Sequence, residues 1–506
     1  MHQTPWRLGP CGWPIELNGE LNGTTRPFVS DVGPRCGGPG QRDPGASHRI
    51  GAPAWLAQHR PDVTANMISS PKRATDSTNG SRADWFPFYA GYSSRFVEDV
   101  CAYLKLPERA RLLDPWLGSG TTAEVAVAHG YRIRGFDINP AMLVVAKART
   151  LASGSEHQLL DMLERVATLY AGSVAATRAG ADERDGLRQW LVGESAARLR
   201  LLERAVARTC GLAASGLAPV RWRHLERASP AAAALYVALF RVFRRCLRGF
   251  ETSNPTWIKV PDETERIELS SGALIHQFER EVGFLLRELR KESQHVPRAP
   301  RGACSIRRAS SLHLPMAAET VDAIISSPPY CTRIDYVQAT LPELALLGCH
   351  KRTWLRRLRE EMIGTPTLRG HKVGMSKAWG DTCAAFLGSV GSHHSKASAT
   401  YYLRYFRQYF ASAHKSLREI RRVLRRGGHC VLVVQDSYYK EIRNDLPTIY
   451  IEMAEPLGLH LTQRLDFRVR QTLAAINSRA KAHRAASNAI ESVLIFGKDA
   501  GISSRG

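Results

Sequence analysis

The 506-residue sequence predicts an α/β fold interrupted by a mainly helical insertion. Three stretches carry that prediction. From Arg111 the chain reads RLLDPWLGSGTT: an apolar strand, a glycine-rich turn and the start of a helix. TAEVAVAHG and YRIRGFDINP then supply a helix closed by Gly130 and a second strand ending at Asp137, which completes a βαβ unit. Far downstream, DAIISSPPY (Asp322 to Tyr330) is an apolar strand that stops on two prolines. Proline fixes φ and has no N–H, so a central strand cannot run through it. The stretch is then either a strand end with a stiff surface turn, or a rigid site at the carboxyl end of a strand, where open α/β sheets bind ligands.

The other elements fall around these three. Residues 1–83 are rich in Gly, Pro, Arg and Asn; VGPRCGGPGQRDPGASHR cannot bury much apolar surface and is expected to be disordered. Met67 is a candidate translation start, which would make the preceding residues a mis-annotated extension. From Asp84, WFPFYAGYSSRFVEDVCAYLKL reads as a loop and then a helix capped by Ser93 or Ser94. Residues 84–150 thus form a first α/β part. Residues 151–300 are mainly helical by period, with basic faces, as in GLRQWLVGESAARLRLLERAVAR and ALYVALFRVFRRCLRGF. The α/β pattern returns over 301–498, with CSIRRASSLHLP, DAIISSPPY, a loop-rich basic stretch over 350–378, and a long helix from Tyr401 running up to Gly427–Gly428. The strands HCVLVVQDS and AIESVLIFGK follow, and residues 499–506 are a tail.

Composition narrows the function classes. Lys plus Arg is 70 against 47 acids, a net charge of +23, which favours a polyanionic partner such as nucleic acid over a plain solubility charge. No apolar run reaches the length of a membrane span, and the N-terminus lacks a signal-peptide core. Ten cysteines without a Cys-x-x-Cys pair argue against a zinc module or a disulfide framework and fit a reducing cytoplasm.

The glycine turn is a candidate cofactor site. Gly118 and Gly120 let the backbone approach a ligand, and the helix that starts at Thr121 offers unpaired N–H groups. Asp137, ending the next strand, can accept both hydroxyls of a ribose. Gly118-x-Gly120-x-x-Ala123 also satisfies a dinucleotide pattern, so NAD is a competitor. Asp114 stands against it: a carboxylate there suits the ammonium of a methionine moiety and would repel a pyrophosphate, which favours S-adenosylmethionine over NAD.

Taken together, DPWLGSGTT and SPPY resemble the amino-methyltransferases of DNA, which methylate exocyclic amines of cytosine or adenine. The resemblance covers roughly 84–150 and 301–498. It implies a Rossmann-like, seven-stranded SAM-dependent methyltransferase fold, mostly parallel with a final antiparallel strand. It implies S-adenosylmethionine held by Tyr92, Ser93, Asp114, Gly118, Ser119, Gly120, Thr121, Asp137 and Ile138, and a catalytic Ser327-Pro328-Pro329-Tyr330. The family's acidic adenine contact after the third strand is replaced here by Ala309, Ser310 and Ser311. The partner implied is duplex DNA with a flipped base, in a cytoplasmic, nucleoid-associated setting, and target recognition would lie in 151–300 or in 350–378. Ser327 in first place points to cytosine N4, whereas adenine-specific relatives more often carry Asp or Asn. The same pocket could serve RNA or a protein glutamine, or the fold could be a non-catalytic DNA-binding one. Whether a partner restriction nuclease exists is not deducible from the sequence.

In the chemistry implied, Ser327 Oγ and the Pro328 carbonyl accept hydrogen bonds from the target amine, the prolines fix that carbonyl, and Tyr330 stacks on the base. Cys331 reads as a buried thiol and not a nucleophile. His393-His394 lacks the partners of a metal site. The aromatics from Tyr401 to Tyr409 follow helical spacing and read as core. SNPTWIK, from Ser253, reads as a turn.

Overall fold

The computed structural model describes residues 68–72, 82–86, 91–176, 182–212, 222–252, 257–293, 303–368, 370, 373–468 and 489–499. Met67 and most of the N-terminal stretch lie outside these residues. Two short pieces of that stretch are placed: Ile68 is buried, and the Pro71 carbonyl accepts the Ser93 N–H at 2.9 Å. Apolar burial of Ile68 gives this piece an anchor that the overall composition of 1–83 hides.

Among the described residues there are nine strands: β1 (Arg111–Asp114), β2 (Arg132–Asp137), β3 (Cys304–Arg308), β4 (Val321–Ser326), β5 (Leu424–Gln435), β6 (Ser437–Tyr439), β7 (Ile442–Asn444), β8 (Leu459–Arg468) and β9 (Ile490–Lys498). Seven form one sheet in the order β3-β2-β1-β4-β5-β9-β8, while β6 and β7 make a separate hairpin. The pairs from β3 to β5 are parallel, and β9 is antiparallel to both of its neighbours. This is the Rossmann-like, seven-stranded, mostly parallel sheet that the resemblance implied. Successive strand residues point to opposite faces, so each central strand feeds two cores. Leu112, Ile325, Val431 and Val493 pack with Phe96 and Val97 on one face. Leu113, Ile324, Leu432 and Leu494 pack with Phe410 and Leu417 on the other.

Between β2 and β3 the described chain is helical, including Glu156–Ala176, Gly193–Thr209, Pro230–Cys246 and Ser271–Ser293. These helices share one core with Met142 and Val145 of the helix Pro140–Arg149 and with Leu344 and Leu346. Buried ion pairs reinforce the joint. Arg200 pairs with Asp185 and donates to the Leu346 carbonyl at 2.7 Å, and Arg244 pairs with the buried Glu343.

Three sequence expectations are corrected. The stretch after residue 350 contains a helix, Arg352–Glu361, which buries Leu355 and Leu358 on one face and turns its charges to the other. The long helix ends at Val423, short of the glycines, because Leu424 turns extended and pairs with Val321 in the sheet. Gly427, at φ 67°, then lies inside β5. Edge strand β8 was not anticipated: its burial is mixed, so its alternation is weak. Among the described residues no helix is long and apolar enough to cross a membrane.

Candidate active site

The order of strands reverses between β1 and β4: β2 and β3 extend to one side, β5 and the β9–β8 pair to the other. Such a switch point opens a crevice at the carboxyl ends of the two central strands. Asp114 ends β1 and Ser326 ends β4, so the glycine turn and SPPY meet there although Asp114 and Ser326 are 212 residues apart in sequence.

Asp114 is the hub of that meeting. Its Oδ1 accepts from Ser326 Oγ at 2.5 Å and from the Trp116 N–H at 3.1 Å, and its Oδ2 accepts from Tyr92 Oη at 3.1 Å. Tyr92 Oη also lies 2.5 Å from Thr122 Oγ1. Burial pushes the Asp114 carboxyl up to about 6, against the pull of these hydrogen bonds. Thr122 is a further hydrogen-bond partner of this carboxylate, so Ser326, Thr122, Trp116 and Tyr92 together surround it.

The glycine turn is fastened from two sides. The Gly118 N–H donates to Asp137 Oδ2 at 2.9 Å, and the Asn139 N–H donates to Asp137 Oδ1 at 2.8 Å. Burial raises the Asp137 carboxyl above the ordinary range, against the pull of the backbone N–H groups of Asn139, Gly118 and Ile138. From behind, the buried Arg149 donates to Ser119 Oγ at 3.0 Å and pairs with Glu124. Gly120 has φ 87°, and a Cβ there would fall 2.6 Å from Ala146 Cα and Cβ, so only glycine lets the two helices approach this closely. Thr121 is buried at the helix start. Ser93 caps the helix Ser94–Tyr103, its Oγ accepting the Phe96 N–H, and Gly91 lies against Ser119. Ile138 packs against the insertion core, and its carbonyl accepts from Arg308 Nε at 2.9 Å. At the place of the missing acid, Ser311 Oγ bonds Ser416 Oγ at 3.0 Å instead.

Around SPPY the carbonyls are unequal. Tyr409 Oη donates to the Pro329 carbonyl at 2.8 Å, and the Thr332 N–H donates to the Tyr330 carbonyl at 2.8 Å. The Pro328 carbonyl receives no donor among the described residues. Ser327 Oγ donates to the Val433 carbonyl at 3.0 Å, which uses its proton and leaves oxygen lone pairs able to accept. Tyr330 Oη donates to Glu491 Oε1 at 2.8 Å. Glu491 is buried on β9, its Oε2 has no hydrogen-bond partner among the described residues, and burial raises its carboxyl. Cys331 lies in the core, its thiol pushed well up by burial.

No family model matches the chain. Over 44 residues, 9% of this chain, it is 46% identical to the type II methyltransferase M.MvaI of Kocuria varians. The chain spans about a tenth of the length of that curated relative. Similar solved structures include geranyl diphosphate methyltransferase in complex with GPP and sinefungin, with TM-score 0.29, 9% identity and 85% of each chain covered. The rRNA methyltransferase aviRa from Streptomyces viridochromogenes has TM-score 0.27 and 12% identity, over 85% of this chain and 96% of its own. At these scores neither bears on activity, and the fold rests on the strand order itself.

Sequence reasoning missed Ser326, Arg149, Tyr409 and Glu491. Glu491 carried a signal, a lone acid inside the apolar run AIESVLIF. Arg149 and Tyr409 carried none, since each acts on a turn far away in the chain. His393 is engaged by Glu441 at 2.7 Å and by Ser395, and among the described residues no cluster of acids, His and Cys could hold a metal. Tyr405 and Tyr409 are core residues, as their spacing predicted, but Tyr401 and Tyr402 are only half-buried, because they lie in a π-helical turn ahead of the regular helix. Residues 253–256 of SNPTWIK lie outside the described residues.

Proposed function

We propose that the chain is an S-adenosylmethionine-dependent DNA methyltransferase acting on an exocyclic base amine, with cytosine N4 as the target. The observation that carries the reading is the pair Ser327 Oγ and the Pro328 carbonyl at the end of β4, beside the glycine turn, with the Ser327 proton spent on the Val433 carbonyl. The residues fit the cofactor: the Asp137 carboxylate at the end of β2 suits a ribose diol, the Asp114 carboxylate at the end of β1 suits an ammonium, and the Gly120 cradle brings backbone close. When bound, S-adenosylmethionine supplies an electrophilic methyl group.

The chain's residues prepare the nucleophile. The lone pair of an aromatic amine is delocalised into the ring; two acceptors on its N–H groups favour the form in which the lone pair is localised on nitrogen. Ser327 and Pro328 supply those acceptors in a fixed frame, since Tyr409 holds the neighbouring Pro329 carbonyl and Val433 holds the Ser327 proton. Tyr330, anchored through Glu491, offers its ring to the base. A base reaches these groups only when flipped from the duplex, which costs a few kcal/mol. Target contacts come from the basic segment over 151–300, with 350–378 as its competitor, and a serine in first place favours cytosine.

Nucleoside mass spectrometry tests the reading. The purified chain is incubated with unmodified DNA and deuterated-methyl S-adenosylmethionine, and the digest is searched for label. Labelled N4-methylcytosine is the expected result, lost in Ser327→Ala with the fold retained. Labelled N6-methyladenine would overturn the base assignment alone. Label in RNA or protein and none in DNA would overturn the substrate class.

A further inference from the structure

We propose that Arg333, held over Tyr401 and Tyr402 at the rim of the site, is a phosphate contact for the DNA strand that carries the target base. This rests on the reading of the chain as a DNA methyltransferase.

Arg333 follows Tyr330 by three residues, and its backbone is left-handed, at φ 58°. For a non-glycine residue that conformation costs about 1–2 kcal/mol, and such residues persist where the surroundings fix them. Here Tyr405 Oη accepts the Arg333 N–H at 3.1 Å. The side chain is exposed, with its guanidinium 4.9 Å from the centre of the Tyr402 ring and 5.9 Å from that of Tyr401. The two rings are edge to face at 5.1 Å. Among the described residues this guanidinium has no ion pair and no hydrogen bond. The nearest acid in sequence, Asp335, is already engaged by Arg359 at 2.8 Å and by the N–H groups of Val337 and Gln338.

The platform is tied to the site. Tyr401 and Tyr402 belong to a π-helical turn, Ser398–Tyr402, entered through the left-handed Ala397; such turns are frequent at functional sites. Tyr401 Oη donates to the Pro366 carbonyl at 2.6 Å and Gln408 Nε2 to the Thr367 carbonyl at 3.1 Å. In the same loop Gly364, at φ 75°, lies so close to SPPY that a Cβ would be 2.9 Å from the Tyr330 carbonyl oxygen. Arg333, the aromatic pair and SPPY are thus one connected rim.

A guanidinium with one face on a ring keeps its edge of N–H donors free, and that edge matches two phosphate oxygens. The aromatic support preorganises the side chain, so less freedom is lost on contact. The net charge of +23 agrees with a polyanion in place of a single acidic side chain.

The test is binding of the full chain to a labelled mixed-sequence duplex across a salt series, with cofactor affinity measured in parallel by calorimetry. Arg333→Ala is expected to make the slope of log K against log salt shallower by about 0.9, the value of one phosphate contact. S-adenosylmethionine affinity stays unchanged, and Arg333→Lys keeps the slope. An unchanged slope in Arg333→Ala, whether or not affinity falls, would overturn the phosphate contact; affinity lost at constant slope would mean that Arg333 stacks on a base. Failure of the underlying reading looks different: the wild-type chain would then transfer methyl groups to RNA or protein and none to DNA.

Discussion

Ser326 and Ser327 are adjacent, and the structure gives them separate work. Ser326→Ala removes the 2.5 Å hydrogen bond to Asp114 Oδ1 and leaves the Ser327 bond to Val433 in place. The loss depends on the charge of Asp114. A hydrogen bond between neutral groups contributes about 0.5–1.5 kcal/mol, and one to a charged group about 1.5–3 kcal/mol. Asp114 has its carboxyl raised to about 6 in the folded chain, against about 3.9 when unfolded. Its raised value makes a contribution to stability that is complete below about pH 4 and lost as the pH rises through 6. At pH 5 the folded carboxyl is mostly protonated, and Ser326→Ala should cost about 1 kcal/mol; at pH 8 it is ionised, and the cost should rise to about 2 kcal/mol. That difference of about 1 kcal/mol reports a further rise of the Asp114 carboxyl in the variant, which has lost a donor to the ionised form. Urea unfolding from pH 5 to pH 8 measures it, with the Asp114→Asn background as control. A cost that does not change with pH, or a pH dependence that survives in Asp114→Asn, would refute the reasoning.

Two further outcomes follow from the site. Gly120→Ala adds a Cβ 2.6 Å from Ala146 at φ 87°; left-handed strain of about 1–2 kcal/mol and overpacking of about 1–3 kcal/mol should lower stability by about 2–5 kcal/mol in denaturant unfolding. Tyr330→Phe removes the donor to Glu491 and leaves a buried carboxyl without its partner. It should cost about 1–3 kcal/mol of stability while transfer stays within a few-fold of wild type, and Tyr330→Ala should lose transfer; equal losses of transfer in both would show that the hydroxyl, not the ring, matters.

The sequence by itself determined the local pieces. Strand, glycine turn, helix and second strand are set by near-neighbour rules, and they appear over Arg111–Asp137 as read. Pro328 and Pro329 end β4 because proline cannot continue a ladder, which needs no tertiary information. The cap at Ser93 was legible for the same reason. The tertiary structure decided what those pieces meet. The reversal of strand order between β1 and β4 brings Ser326 onto Asp114 across 212 residues, and no local pattern encodes that register. The same holds for Arg149 behind Ser119, Tyr409 on the Pro329 carbonyl and Glu491 under Tyr330, each a bond between distant segments. Polar edge strand β8 was hidden because its partner, not its own residues, holds it in place. Local chemistry was therefore legible wherever a residue acts on its own neighbours, while pairing across the sheet depends on packing, which only the folded chain defines.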